Sequence, residues 1–130
     1  MPVNGGDGWD LASGVGLTAT EAAAARAVAG RQPVALINDP YAQLLVRAVG
    51  VEFLVDLTEM SVEEAESGFA LPRLVDWVAV RTRFFDDFLS AATETGITQV
   101  VILGAGLDSR AYRLDWAPQT VVYEVDRPAV

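Results

Sequence analysis

The chain contains no cysteine and no histidine. Disulfide scaffolds, thiol nucleophiles, Cys/His zinc sites, iron–sulfur clusters and Ser-His-Asp triads are therefore excluded. Lysine is absent as well. All 9 basic residues are arginines: Arg26, Arg31, Arg47, Arg73, Arg81, Arg83, Arg110, Arg113 and Arg127. Without a lysine amine there is neither a Walker A phosphate loop nor Schiff-base chemistry. Positive charge is scarce overall, since these arginines face 18 Asp and Glu for a net charge of −9 at pH 7. That balance repels phosphates, so no nucleic-acid partner is expected. It does not disfavour small cationic ligands. Long apolar runs are missing too. The longest unbroken run of apolar residues and glycine, Val100 to Leu107, falls far short of the roughly 18 residues that span a bilayer. Met1 to Gly16 is glycine-rich and acidic, and it does not read as a signal sequence. The expectation is a cytoplasmic protein with no membrane partner.

What is present describes a globular chain of one domain at most. It has 130 residues, of which 52% are apolar and 21% charged, which is not the balance of a disordered segment. Residues 1–17, crowded with glycine, read as a flexible tail. Residues 18–98 read as a helical region. Thr18 or Thr20 is placed to cap a helix running to Gly30, through the strong helix formers Ala19 and Ala22 to Ala25. Asn38-Asp39-Pro40 opens a second helix that Gly50 stops. Val51 to Glu59 fits helix or extended chain. Ser61-Val62-Glu63-Glu64 has the form of a capping box. Leu71 to Thr95 reads as one long helix, with Leu71, Leu74, Val75, Val78, Thr82, Phe85 and Leu89 on one stripe. Trp77, Phe84, Phe85 and Phe88 are expected in the core. Asp86 and Asp87 read as a solvated acidic face, with Arg83 and Asp87 pairing across one turn.

The chemical signal lies in residues 99–130, which read as the start of a cofactor-binding domain. Gln99 to Leu103 is an apolar, β-branched run expected to form a buried strand. Gly104-Ala105-Gly106 is a turn, Leu107 to Arg113 the start of a helix, and Thr120 to Val125 a second strand that leads into Asp126. Asp126 follows Gly104 by 22 residues. A Rossmann-type glycine turn and its ribose-binding acid are separated by about 20. Glycines permit positive φ and close ligand approach. A carboxylate at the strand end accepts both hydroxyl hydrogens of a ribose. Glu124 is a candidate second polar contact. Asp108 is a candidate helix cap, and Tyr112 stays open between core and site.

The pattern therefore expects an adenosine-containing ligand. A dinucleotide is one reading, but its Gly-x-Gly-x-x-Gly fingerprint meets Ser109 at the third glycine position. S-adenosyl-L-methionine is the other. It carries no phosphate, its sulfonium and ammonium suit an acidic protein, and a partly buried arginine such as Arg81 suits its carboxylate. No metal ligands are expected.

Four segments carry a resemblance: Ala35-Leu-Ile-Asn-Asp-Pro-Tyr41, Val80-Arg-Thr-Arg-Phe-Phe-Asp-Asp-Phe88, Leu103-Gly-Ala-Gly-Leu-Asp-Ser-Arg-Ala-Tyr-Arg113 and Tyr123-Glu-Val-Asp-Arg-Pro128. In this order they resemble the N-terminal part of S-adenosylmethionine-dependent methyltransferases related to leucine carboxyl methyltransferases, over residues 18–130. The resemblance implies a Rossmann-like α/β fold and S-adenosyl-L-methionine as cofactor. It implies methyl transfer to an oxygen, often of a carboxylate, on a small-molecule or carboxylate-bearing acceptor. It places Gly104, with Ala105 and Gly106, beside the cofactor, Asp126 on the ribose and Arg81 on the methionine carboxylate. Arg26 falls near another basic contact. Family members run to roughly twice this length, so the chain is expected to be a fragment holding the N-terminal helices and the first β-α-β half. The remaining alternatives are a fragment of an NAD-type oxidoreductase and an inactive interaction module. The catalytic residues, acceptor and oligomeric state stay open.

Overall fold

A computed structural model describes residues 10–71, 73–128 and 130. In chain order the elements are α1 (Gly14–Ala29), α2 (Ala42–Val49), α3 (Glu52–Glu59), α4 (Val62–Gly68), α5 (Leu74–Glu94), β1 (Gln99–Leu103), α6 (Arg110–Arg113) and β2 (Val121–Val125).

Helix α1 begins at Gly14, earlier than either threonine expected to cap it. The entry is held another way. Asp10 accepts from Ala12 N and Ser13 Oγ, and Thr20 Oγ donates to the Leu11 carbonyl at 2.6 Å. Of the expected tail, residues 1–9 lie outside the described residues and residues 14–17 are helical. The alanines of α1 explain its position. Ala23, Ala24, Ala25, Val28 and Ala29 are fully buried, because α1 packs against α2, α3, α4 and α5 at once. Small side chains let several helices approach one axis closely.

The surrounding helices follow their local signals. Asp39 caps α2, accepting from the Tyr41 and Ala42 amides at 3.1 Å each. Gly50 ends it in the left-handed conformation. Residues 52–59 are helical. The capping box of α4 forms as expected between Ser61 and Glu64. The core joins α1 to Val46, Leu54, Leu57, Ala65, Phe69, Val75, Val78 and Ala79. It is a helical core, and no described helix is long and apolar enough to cross a membrane.

Strands β1 and β2 pair in parallel, with Val101 opposite Tyr123 and Leu103 opposite Val125. This two-stranded parallel sheet in a mixed α/β chain is what the sequence pattern required. Its burial is not. Val100 is buried, but Val101 and Leu103 are 62% and 80% exposed. The aromatics of α5 depart in the same way. Trp77, Phe84 and Phe88 are all more than half exposed, and Phe85 is exposed as well. The reason is common to both. Helix α5 spends its packing face, Val75, Val78, Ala79 and Thr82, on α1. Among the described residues the side that carries Trp77, Phe84 and Phe88 is left largely open.

Candidate functional site

The turn after β1 has a packed side and an open side. Gly104 and Gly106 have φ of +64° and +52°, a left-handed backbone that costs side-chain-bearing residues energy. A Cβ on Gly106 would stand 2.9 Å from the Ala19 Cβ of α1, whereas one on Gly104 would meet nothing within 4 Å. The turn thus presses on the helical core through Gly106 and leaves its backbone accessible at Gly104. The amides of Gly104 and Ala105 both donate to the Val125 carbonyl, at 2.8 and 3.3 Å, which locks the turn to the end of β2.

Asp126 closes the open side. Its Oδ2 accepts from the Gly106 amide at 2.6 Å and its Oδ1 from the Arg127 amide at 2.7 Å. The Arg127 amide first, and then the Gly106 amide, hold its carboxyl below the ordinary carboxylate pKa. A carboxylate offers about four acceptor positions, so capacity remains for a ligand's hydroxyls. Ala105, Gly106, Glu124, Asp126, Arg127 and Val130 line a cleft of about 300 Å³, at the small end of ligand sites. Partial burial, and then the Asp108 charge, push the Glu124 carboxyl pKa up. Four of the sequence-predicted residues, Gly104, Ala105, Gly106 and Asp126, therefore come together in space, with Glu124 beside them.

Arg81 is placed differently. It is exposed on α5 and does not line that cleft. Its guanidinium lies 5.7 Å from the Trp77 ring centre and 5.5 Å from that of Phe85, within cation–π range. Arg110 stands 5.6 Å from the same Phe85 ring. One aromatic ring thus links Arg81 to the segment that follows the glycine turn. A larger groove of about 650 Å³ runs past Leu71, Trp77 and Val80. It holds none of the predicted site residues and is the uncovered apolar side of α5.

Sequence reasoning missed the group behind the turn. Asp39, with its side chain fully buried, accepts from Arg26 Nε at 2.8 Å and Ser109 Oγ at 2.6 Å. Burial works against its charge, but the Ser109 and Arg26 hydrogen bonds and the Arg26 charge outweigh it and lower the pKa. Arg26 also donates to the Leu107 carbonyl. Asp86, expected on a solvated face, is instead clamped by Arg113 at 2.7 and 3.0 Å and by Arg110 at 3.1 Å. Burial opposes the charge of Arg113, yet Asp86 raises its pKa. Asp87 does stay on the surface, paired with Arg83 at 2.8 Å. Asp108 binds Arg110 through both its amide and its guanidinium. Tyr112 packs edge-to-face on Tyr41 with ring centres 4.9 Å apart. The one available signal was Asp39 itself, a lone carboxylate in the run Ala35 to Tyr41.

The family model described as leucine carboxyl methyltransferase matches residues 19–130. A protein of Mycolicibacterium vanbaalenii, provisionally named an S-adenosyl-L-methionine-dependent methyltransferase, is 61% identical over 130 residues, covering 100% of this chain and 44% of that protein. A Mycobacterium bovis protein with the same provisional name is 52% identical, over 100% of this chain and 44% of its own length. A third so named, from Mycobacterium tuberculosis, is 57% identical over 96% of this chain and 41% of its own. The chain therefore spans less than half the length of these relatives.

Proposed function

The chain belongs to the leucine carboxyl methyltransferase family, and from that premise we propose that it forms the cofactor-binding end of an S-adenosyl-L-methionine-dependent methyltransferase. In this reading residues 99–130 begin a Rossmann-like sheet, with the ligand at the carboxyl ends of β1 and β2. The observation that carries it is the placement of Asp126 against the glycine turn, its Oδ2 on the Gly106 amide at 2.6 Å. Two backbone amides fix the carboxylate and keep it ionised. Its remaining lone pairs accept the two ribose hydroxyls, while the open backbone at Gly104 admits the ligand.

The cleft chemistry favours this ligand over a dinucleotide. Its lining carries the carboxylates of Glu124 and Asp126 against one guanidinium, that of Arg127, an arrangement poorly suited to a pyrophosphate. Ser109, at the third position of the dinucleotide fingerprint, is buried and bonded to Asp39. Helix α6 is a single turn, Arg110–Arg113, and offers no extended helix terminus to a phosphate. Arg81 is the residue we assign to the methionine carboxylate, through its place on the Phe85 ring beside Arg110.

When bound, S-adenosyl-L-methionine supplies the methyl group, which passes to an acceptor oxygen by in-line displacement at the sulfonium. The acceptor class we favour is a carboxylate. Positioning matters more than proton transfer in such a step, so the contribution of these residues is to bind and orient. Calorimetric titration of the chain with S-adenosylhomocysteine, with NAD as competitor, tests the reading. Saturable binding that Asp126→Ala abolishes is the expected result. Preference for NAD, or binding unaffected by Asp126→Ala, overturns it.

A further inference from the structure

Of the four residues that follow the glycine turn, three are held from behind and Asp108 is held by Arg110 of the same segment. The Leu107 carbonyl accepts from Arg26 of α1. Asp108 accepts from the Arg110 amide and guanidinium. Ser109 Oγ donates to Asp39 at 2.6 Å and accepts from Arg113 Nε at 3.1 Å. Arg110 donates to Asp86 of α5 at 3.1 Å. Three parts of the helical core, namely α1, the loop before α2, and α5, thus converge on one short segment. Asp39 and Ser109 are at the centre, with the Asp39 side chain 0% and Ser109 1% exposed.

Buried ionic networks of this kind add little net stability compared with apolar packing of the same volume, because desolvation offsets the attraction. What they do supply is direction. A hydroxyl that donates to one carboxylate and accepts from one guanidinium has a single good position. We propose that Asp39 and Ser109 are positioning residues that set the geometry of the glycine turn and so tune the grip on the ligand. The proposal rests on reading the turn as the cofactor-binding surface. It also gives Ser109 a reason to stand where the dinucleotide fingerprint has glycine. A glycine there would leave Asp39 and Arg113 each short of a partner.

The test compares the whole chain with its Ser109→Ala variant, well below the unfolding midpoint of either. The first readout is amide hydrogen exchange at Gly104, Ala105, Gly106 and Asp108, all of whose N–H groups are hydrogen-bonded. The second is the S-adenosylhomocysteine dissociation constant. Exchange at those four amides should rise about tenfold, the loss expected for one hydrogen bond to a charged group. The Val28 and Val46 amides in the helical core should not change. The dissociation constant should rise by a similar factor. Ser109→Cys keeps the volume but donates weakly. It should shift both readouts in the same direction by less, and it serves if the alanine variant does not fold. Unchanged turn exchange overturns the proposal, as does a rise shared equally by the helical core. A wild-type chain that binds no S-adenosylhomocysteine, but whose turn amides still respond to Ser109→Ala, overturns the ligand reading and leaves the positioning role standing.

Discussion

Asp39 lies behind the glycine turn and Asp126 in front of it. Behind the turn, the Asp39 side chain is wholly buried and takes four donors: Arg26, Ser109 and the amides of Tyr41 and Ala42. In front, Asp126 is exposed and takes two backbone amides, those of Gly106 and Arg127. Both carboxyls are shifted to lower pKa, but for different physical reasons. Asp39 must be ionised and saturated because an unpartnered charge is too costly in the interior. Asp126 is held by two backbone amides, with the Arg127 charge acting in the same direction, and keeps acceptor capacity facing solvent. The contrast teaches that one turn can be rigid on its inner face and available on its outer face, and that a carboxylate's surroundings tell which task it has.

Substitutions sharpen this contrast in descending order of effect. Asp39→Ala strands Arg26 and leaves Ser109 without its acceptor, so it should cost about 3–5 kcal/mol of stability in a denaturant titration. A loss near zero would mean that the inner face is not rigid. Next come the two glycines of the turn. Gly106→Ala should cost more than the roughly 1–2 kcal/mol of a left-handed alanine, because its Cβ also meets Ala19. Gly104→Ala should cost the backbone part only, since its Cβ points into open space. The reverse order would break the distinction between faces.

Acid should separate the two aspartates further. The pKa of Asp39 is depressed below 3.8 in the fold. The stability it contributes is therefore fully present above that ordinary value, and is lost as pH falls through the lower folded one. Thermal unfolding should be flat from neutral pH down to about pH 5 and should fall below about pH 4. Asp39→Asn should remove part of that slope. The smallest effects belong to the surface. Arg83→Ala should leave the unfolding midpoint where it is, whereas Asp126→Asn, which sets an NH2 group against one of two backbone donors, should lower it slightly and weaken ligand binding. A drop for Asp126→Asn as large as that for Asp39→Ala would make it a structural residue.

The front of the turn was readable in the sequence, and the back was not. Gly104, Gly106 and Asp126 belong to one strand–turn–strand unit, and a parallel pair brings them together wherever that unit forms. The capping box at Ser61 and the stop at Gly50 are equally local. By contrast, Ser109 and Asp39 are 70 residues apart, and Asp86 meets Arg113 across 27. A helical wheel sets Asp86 about 100° from Asp87, but it has no means of telling which will meet an arginine from another segment. The same limit applies to Trp77 and Phe84. Their apolar character is plain, but which side of α5 would find a partner is decided by α1.

The sequence by itself determined the family, the helix that Gly50 stops, the capped helix at Ser61 and the long helix α5, the parallel strand pair and the carboxylate that faces the glycine turn. All of these rest on short-range patterns: periodicity, caps, turn glycines and a fixed spacing. Only the tertiary structure decided that Asp39, Asp86 and Ser109 lock the turn from behind, and that the aromatic face of α5 and the faces of both strands remain uncovered. Burial and ion pairing join groups far apart in the chain, and the cost of burying a charge is known only once the walls around it are in place.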